Sequence, residues 1–208
     1  MTQSAGNALI SVFDKNGIVE FAQGLAKQNW HIYASGGTAQ KLRDAGVDVT
    51  DIADLVGGEA ILGHRVVTLS REVYAGILAD KTKAEDMDEL KRLNIPTIDL
   101  VCVDMYPLEE EIAKSGATVH DVIERTDIGG PTLLRAAAKG RRIVLSAGDQ
   151  REDVLAWLNA GKPDEADFLE QLAARAEYEV TRYTLTLAQY LNPTEVRGVV
   201  AMLDAKTK

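Results

Sequence analysis

The first half of the chain alternates short β-rich apolar runs with amphipathic segments, a pattern that points to an α/β domain built on a mainly parallel sheet. The spacing predicts strands over 8–12, 30–34 and 47–50, with helices over 18–27 and 38–44 between them. Residues 65–69 read as a strand or an extended segment, 84–93 as a helix, and 100–104 and 143–146 as two further strands. Helices over 108–113, 118–125 and 131–139 fall between those last strands. From 149 onward the character is helical, with a long amphipathic stretch over 164–191 that Asn192-Pro193 stops. The chain is therefore divided into an α/β domain over 1–148 and a helical extension over 149–208. In that extension Leu169, Leu172, Ala176, Val180, Tyr183 and Leu187 recur at steps of three and four, so one stripe must be covered. Its own sheet or a second copy of the chain would do so, and the pattern leaves both open.

With 208 residues and 46% hydrophobic content, the chain can bury roughly 70% of its unfolded surface in one core. A formal charge of −9 opposes binding to nucleic acid, so an anionic ligand requires a locally positive pocket. The single cysteine, Cys102, excludes an intramolecular disulfide and favours a reducing, cytoplasmic setting. The short polar start does not resemble a signal peptide, and no apolar run approaches the roughly 20 residues that span a bilayer, so no membrane association is expected.

Three segments carry candidate chemistry. Ser35-Gly36-Gly37-Thr38 follows a predicted strand and opens a predicted helix, where glycines admit a close approach and unpaired N–H groups suit a phosphate. Asp14-Lys15-Asn16-Gly17 ends the neighbouring strand, and Lys15 would supply positive charge; the bland alternative is a solvated lysine with Asp14 as a helix cap. Asp127-Ile128-Gly129-Gly130-Pro131 opens a helix that ends in Arg135-Ala136-Ala137-Ala138-Lys139. There Asp127 reads as a cap or a catalytic group, and Lys139 as a dipole-favoured cation or a catalytic one. Asp104-Met105-Tyr106-Pro107 places Tyr106 at the same sheet edge, as a proton relay or a simple aromatic.

Taken in order, Leu9-Ile10-Ser11-Val12 with Asp14-Lys15, Ser35-Gly36-Gly37-Thr38-Ala39, Gly76-Ile77-Leu78-Ala79, Ile98-Asp99-Leu100-Val101, Tyr106-Pro107 and Asp127 through Lys139 resemble the inosine monophosphate (IMP) cyclohydrolase family. This is one domain of the bifunctional AICAR transformylase/IMP cyclohydrolase, and the likeness runs from about residue 8 to residue 191. The resemblance implies a methylglyoxal-synthase-like fold, a homodimer and no metal or organic cofactor. It implies ring closure of a formamido-imidazole-carboxamide ribotide to IMP with loss of water, the last step of de novo purine biosynthesis and a hydrolase by name. It also implies that Asp14, Lys15, Ser35, Gly36, Gly37 and Thr38 hold the phosphoribosyl part. Around the base it implies Tyr106, Asp127 and Lys139 as catalytic groups, with Arg65, Val66, Val67, Thr68, Asp104 and Ile128 as binding neighbours.

The chain departs from the family pattern at a few places. Arg65-Val66-Val67-Thr68-Leu69-Ser70-Arg71-Glu72 stands where the family reads Arg-Val-Lys-Thr-Leu-His-Pro-Lys, so Val67 occupies a catalytic lysine's position with neither charge nor proton. Asp104 replaces the usual asparagine and Phe13 the usual serine. His64 and Arg71 are candidate compensating cations. The sequence ends at Lys208, where bifunctional members continue, so formyl transfer is not expected and formylated substrate would come from a separate enzyme. The alternatives are a catalytically impaired nucleotide-binding or regulatory module and, more remotely, a methylglyoxal-synthase-type lyase.

Overall fold

The computed structural model describes residues 4–62 and 66–206. Five strands, β1 (Gly6–Val12), β2 (Trp30–Ala34), β3 (Thr50–Asp51), β4 (Leu100–Asp104) and β5 (Ile143–Leu145), form one parallel sheet in the order β3-β2-β1-β4-β5. Ala8, Leu9, Ile10, Leu100, Val101, Cys102, Val144 and Leu145 are all buried, as the near-continuous apolar runs of a sheet covered on both faces require. The order reverses between β1 and β4, where Val12 pairs with Asp104, and a crevice for ligands opens beyond the carboxyl ends of such strands.

The helices are α1 (Ile18–Lys27), α2 (Gly36–Asp44), α3 (Ile52–Val56), α4 (Arg71–Leu78), α5 (Ala84–Arg92), α6 (Leu108–Ile112), α7 (Val119–Glu124), α8 (Gly129–Lys139), α9 (Gln150–Asn159), α10 (Glu165–Leu191) and α11 (Pro193–Lys206). The expected wound β-α-β-α-β start is present, and α1, β2 and β4 begin and end where the spacing places them. Three differences have clear causes. The third strand lies at Thr50–Asp51 rather than 47–50, because pairing with β2 begins at Tyr33 and Thr50 while Val47 and Val49 are buried ahead of the ladder. Over 65–69 the described part holds only an antiparallel bridge between Val66 and Ile61. Pro193 ends α10 but then starts α11, the first-turn position where its missing N–H costs nothing.

Helix α10 packs against α8 and β5, and Leu172, Ala176 and Val180 join Trp157 and Leu158 of α9 in the main core. The sheet's own layer thus covers much of the stripe on 164–191. Tyr183 continues it into a smaller cluster with Leu108 and Val122, which joins α10 to α6 and α7. No described helix is long and apolar enough to cross a membrane.

Candidate active site

The cleft that opens beyond β1 and β4 has a volume of about 770 Å³. Ser11, Val12 and Phe13 reach it from β1 and Ser35 from the end of β2, while Asp104 and Tyr106 follow β4. Asp127, Ile128, Gly129 and Gly130 enter with the start of α8, Val67 and Thr68 with the segment before α4, and Leu187 and Leu191 with the end of α10. Ser35, Val67, Thr68, Asp104, Tyr106, Asp127 and Ile128, which the sequence scatters over more than ninety positions, therefore share one wall-to-wall space.

At one end Ser11 and Ser35 bring their hydroxyls within 3.0 Å of each other. Gly36, at φ 46°, turns the chain from β2 into α2, and the ε-carbon of Lys15 lies 3.6 Å from where a Cβ on Gly37 would stand. The Lys15 ammonium donates to the carbonyls of Val12 (3.0 Å) and Phe13 (3.1 Å), which fixes a cation beside the start of α2. Two serine hydroxyls at the end of the cleft thus neighbour a helix N-terminus and a lysine, a combination suited to an anion, although Lys15, Gly36 and Gly37 do not themselves line the cleft.

Asp127 dominates the other end. Its Oδ1 accepts the Gly130 N–H at 2.9 Å, and its own N–H donates to the Tyr183 hydroxyl at 2.7 Å. Burial pushes the Asp127 carboxyl above its ordinary value, against the pull of backbone N–H groups from Gly130, Tyr106 and Gly129. Burial likewise pushes Tyr183 up to about 12. A Cβ on Gly130 would stand 2.5 Å from Asp127 Oδ2, so glycine is what admits the carboxylate here. Thr68 Oγ1 lies 3.2 Å from the corresponding position on Gly129. Asp127 is therefore both a cap for α8 and a cleft-lining group with a raised proton affinity.

Several expected placements change. Asp14 lines the recesses on the far side of Phe13, where its Oδ1 accepts the Asn16 N–H at 3.0 Å, and α1, with Gly17 at its N-cap position, has no side-chain cap. The Thr38 hydroxyl is buried and committed to β1: it donates to the Val12 carbonyl at 3.2 Å and accepts the Val12 N–H at 3.4 Å. Asp104 reaches the cleft, but its carboxylate is occupied. Oδ1 accepts the N–H groups of Phe13 and Asp14, and Oδ2 meets the Arg151 guanidinium at 3.2 Å. Lys139 is exposed on the last turn of α8, roughly 15 Å from Gly129 at the helical rise of 1.5 Å per residue, so within one chain it does not reach the cleft. Val66 is used in its bridge to Ile61. His64 and Arg65 lie outside the described residues, and among those residues no group of three or more His, Cys, Asp or Glu side chains could hold a metal ion.

Residues 17–132 match the family model described as MGS-like domain. The chain belongs to the MGS-like domain family. Within that family's range of proteins it is similar to the bifunctional purine biosynthesis protein PurH: 40% identical over 186 residues to that of Pediococcus pentosaceus, covering 88% of this chain and 36% of the relative. The PurH of Staphylococcus saprophyticus is 38% identical over 212 residues, covering 96% and 43% respectively. The chain thus spans well under half the length of these curated relatives. The crystal structure of ForH is 36% identical and covers 89% of this chain and 96% of its own, with a TM-score of 0.79.

Pattern reading of this MGS-like chain misses three residues of the site. Arg151, 6% exposed on α9, ties Asp104 and the Asn16 carbonyl together. Tyr183 is legible only as one member of an apolar stripe, yet its hydroxyl holds the Asp127 backbone. Glu111 on α6 accepts from the Tyr106 hydroxyl at 2.7 Å. Phe13, noted only for the serine it replaces, is 51% exposed and stands edge-on to Tyr106 at 4.8 Å, forming the partition between the cleft and the recess beside it.

Proposed function

We propose that this chain closes the ring of a formamido-imidazole-carboxamide ribotide to give IMP and water. The observation that carries the reading is the single cleft in which Ser11 and Ser35 face the same space as Tyr106 and Asp127. The ribosyl phosphate lies at the Ser35 and Lys15 end, and the imidazole extends toward Asp127 between Phe13, Val67 and Ile128. Holding the carboxamide nitrogen against the formyl carbon supplies a large part of the acceleration. The remaining demand is for protons: one leaves the carboxamide nitrogen, one leaves the formamido nitrogen, and both depart with the formyl oxygen as water. Asp127, with its raised proton affinity, hands a proton to the departing oxygen, and Tyr106 receives the one from the attacking nitrogen.

The test is direct: formylated ribotide is mixed with the protein and the ultraviolet change of IMP formation is followed. Absence of turnover alongside tight IMP binding would select the second reading, a nucleotide-binding module, which the uncharged Val67 in the cleft wall favours. In either case Val67→Lys, whose ammonium would face the formyl oxygen, is expected to raise turnover by about tenfold or more.

The cytoplasmic setting, an upstream enzyme that supplies the formyl group, and a homodimer belong to the same proposal. In a homodimer a second copy would have to bring Lys139 to the cleft. Lys139→Ala and Asp127→Asn are each expected to lose turnover, and mixing the two variants to restore part of it. A mixture as inactive as its components removes Lys139 from the reaction.

A further inference from the structure

Beside Tyr106, and not among the residues that line the cleft, stands a carboxylate that the family resemblance does not assign. Glu111 is 6% exposed, and its Oε2 accepts from the Tyr106 hydroxyl at 2.7 Å and from the Lys114 ammonium at 2.6 Å. Lys114 can only donate, and it holds the Glu111 carboxyl below its ordinary value. An ionised carboxylate has no proton to offer, so the short contact to Tyr106 has one polarity: the phenol donates. The phenolic oxygen keeps its lone pairs free to accept, and Tyr106 lines the cleft.

We propose that Glu111 is a positioning residue for proton transfer, holding the Tyr106 hydroxyl so that its oxygen meets the substrate as an acceptor and passing the proton on. The inference rests on the ring-closing reading of the cleft. As the carboxamide nitrogen forms its bond to the formyl carbon, its N–H bond breaks toward the Tyr106 oxygen, and the phenolic proton moves to Glu111. The electron pair of the formyl C=O goes to oxygen, which leaves as water after taking the Asp127 proton and the one that Glu111 returns through Tyr106, while the proton from the formamido nitrogen restores Asp127. Glu111 returns to its ionised form through the same bond.

The other groups around Tyr106 do not replace Glu111 in this arrangement. Arg125, after α7, places its guanidinium carbon 5.8 Å from the ring centroid, over the face rather than at the hydroxyl. Asp127 is engaged by the Gly130 N–H, and Tyr183 is occupied by the Asp127 N–H. Asp104, two residues earlier, is bound to Arg151. The hydrogen bond to Glu111 is also the first cause of the upward shift of Tyr106 from a phenol's ordinary value.

The experiment uses the full chain with tyrosine labelled at the ring carbon bearing oxygen, the Tyr106 signal being identified by its loss in Tyr106→Phe. In Glu111→Gln, which keeps an oxygen for the phenol but removes the charge, Tyr106 is expected to titrate at lower pH than in the native protein. In the ring-closing assay kcat falls by about 10- to 100-fold with KM little changed, and the alkaline limb of the kcat profile moves to lower pH. Glu111→Asp, with its carboxylate drawn back by one methylene, is expected to fall between the two in both measurements, and it serves if the glutamine variant folds poorly. A Tyr106 signal that titrates alike in all three proteins overturns the proposal, as does full kcat with an unmoved limb. If the native protein closes no ring, the titration, repeated with IMP bound, still decides whether Glu111 governs Tyr106. The ring-closing reading then fails separately.

Discussion

Replacing Arg151 by alanine is expected to lower the unfolding free energy by about 3–5 kcal/mol, read from urea denaturation at neutral pH. Its guanidinium is buried and faces Asp104, whose carboxyl burial already pushes above its ordinary value. Removing the cation leaves Asp104 charged and without a counter-charge under the turn that holds Phe13, Asp14 and Asn16. The sign with pH follows. A carboxyl whose folded-state pKa is raised has its stabilising share present below the unfolded value and lost as pH rises through the folded one. The defect should therefore shrink toward acid, where Asp104 takes a proton. Adding Asp104→Asn to Arg151→Ala should recover most of the loss, because asparagine still accepts the Phe13 and Asp14 N–H groups and no buried charge remains. A double variant as unstable as the single one would mean that the Asn16 carbonyl, not Asp104, is the group that needs Arg151.

Asp127→Asn is expected to reduce ring closure by about 10²- to 10⁴-fold while the melting temperature at neutral pH is no lower than in the native protein. The carboxyl is largely desolvated, and its folded-state pKa lies above the unfolded one. By the same linkage, ionisation of this carboxyl, at whatever pH it occurs, weakens the fold relative to the protonated form. Asparagine imitates the protonated form, and its side-chain oxygen can keep the 2.9 Å bond to the Gly130 N–H that starts α8. Stability and reaction therefore separate. Melts at neutral and acid pH, set beside turnover, would show the two proteins converging in stability toward acid while activity stays apart. A marked drop in melting temperature would mean that the carboxylate's charge stabilises the start of α8.

Much of this was readable from residues alone, for a physical reason. Strands buried on both faces are apolar nearly throughout, so residues 8–10 and 100–103 announce themselves, and helices that cover them carry a regular stripe. Helix α4 escaped because Arg71-Glu72 and an internal glycine blur its stripe. The glycine is explained only in space, where a Cβ on Gly76 would stand 2.5 Å from the Pro96 carbonyl oxygen. The third strand, expected at 47–50, falls later because its ladder is a short polar pair whose partner lies seventeen positions back, in register with Tyr33. The site divides the same way. Turns such as Ser35-Gly36-Gly37 declare themselves by glycine at a strand end, whereas Arg151 lies 47 positions from Asp104 and Glu111 reads as one of three consecutive glutamates. No local period marks a long-range ion pair. Position along a helix mattered as well: Asp127 and Lys139 open and close α8, and ten residues of helical rise keep apart what adjacency in a motif suggests is together.

The reversal of strand order between β1 and β4 has an outcome for how such a molecule can change over time. Phe13, Val67 and Asp104 stand in or just before connecting segments at one rim, while the interior beneath them is closed and apolar. Exchanges at that rim alter what a bound heterocycle meets without asking any interior residue to repack. The architecture thus leaves reactivity free to drift while the framework stays fixed.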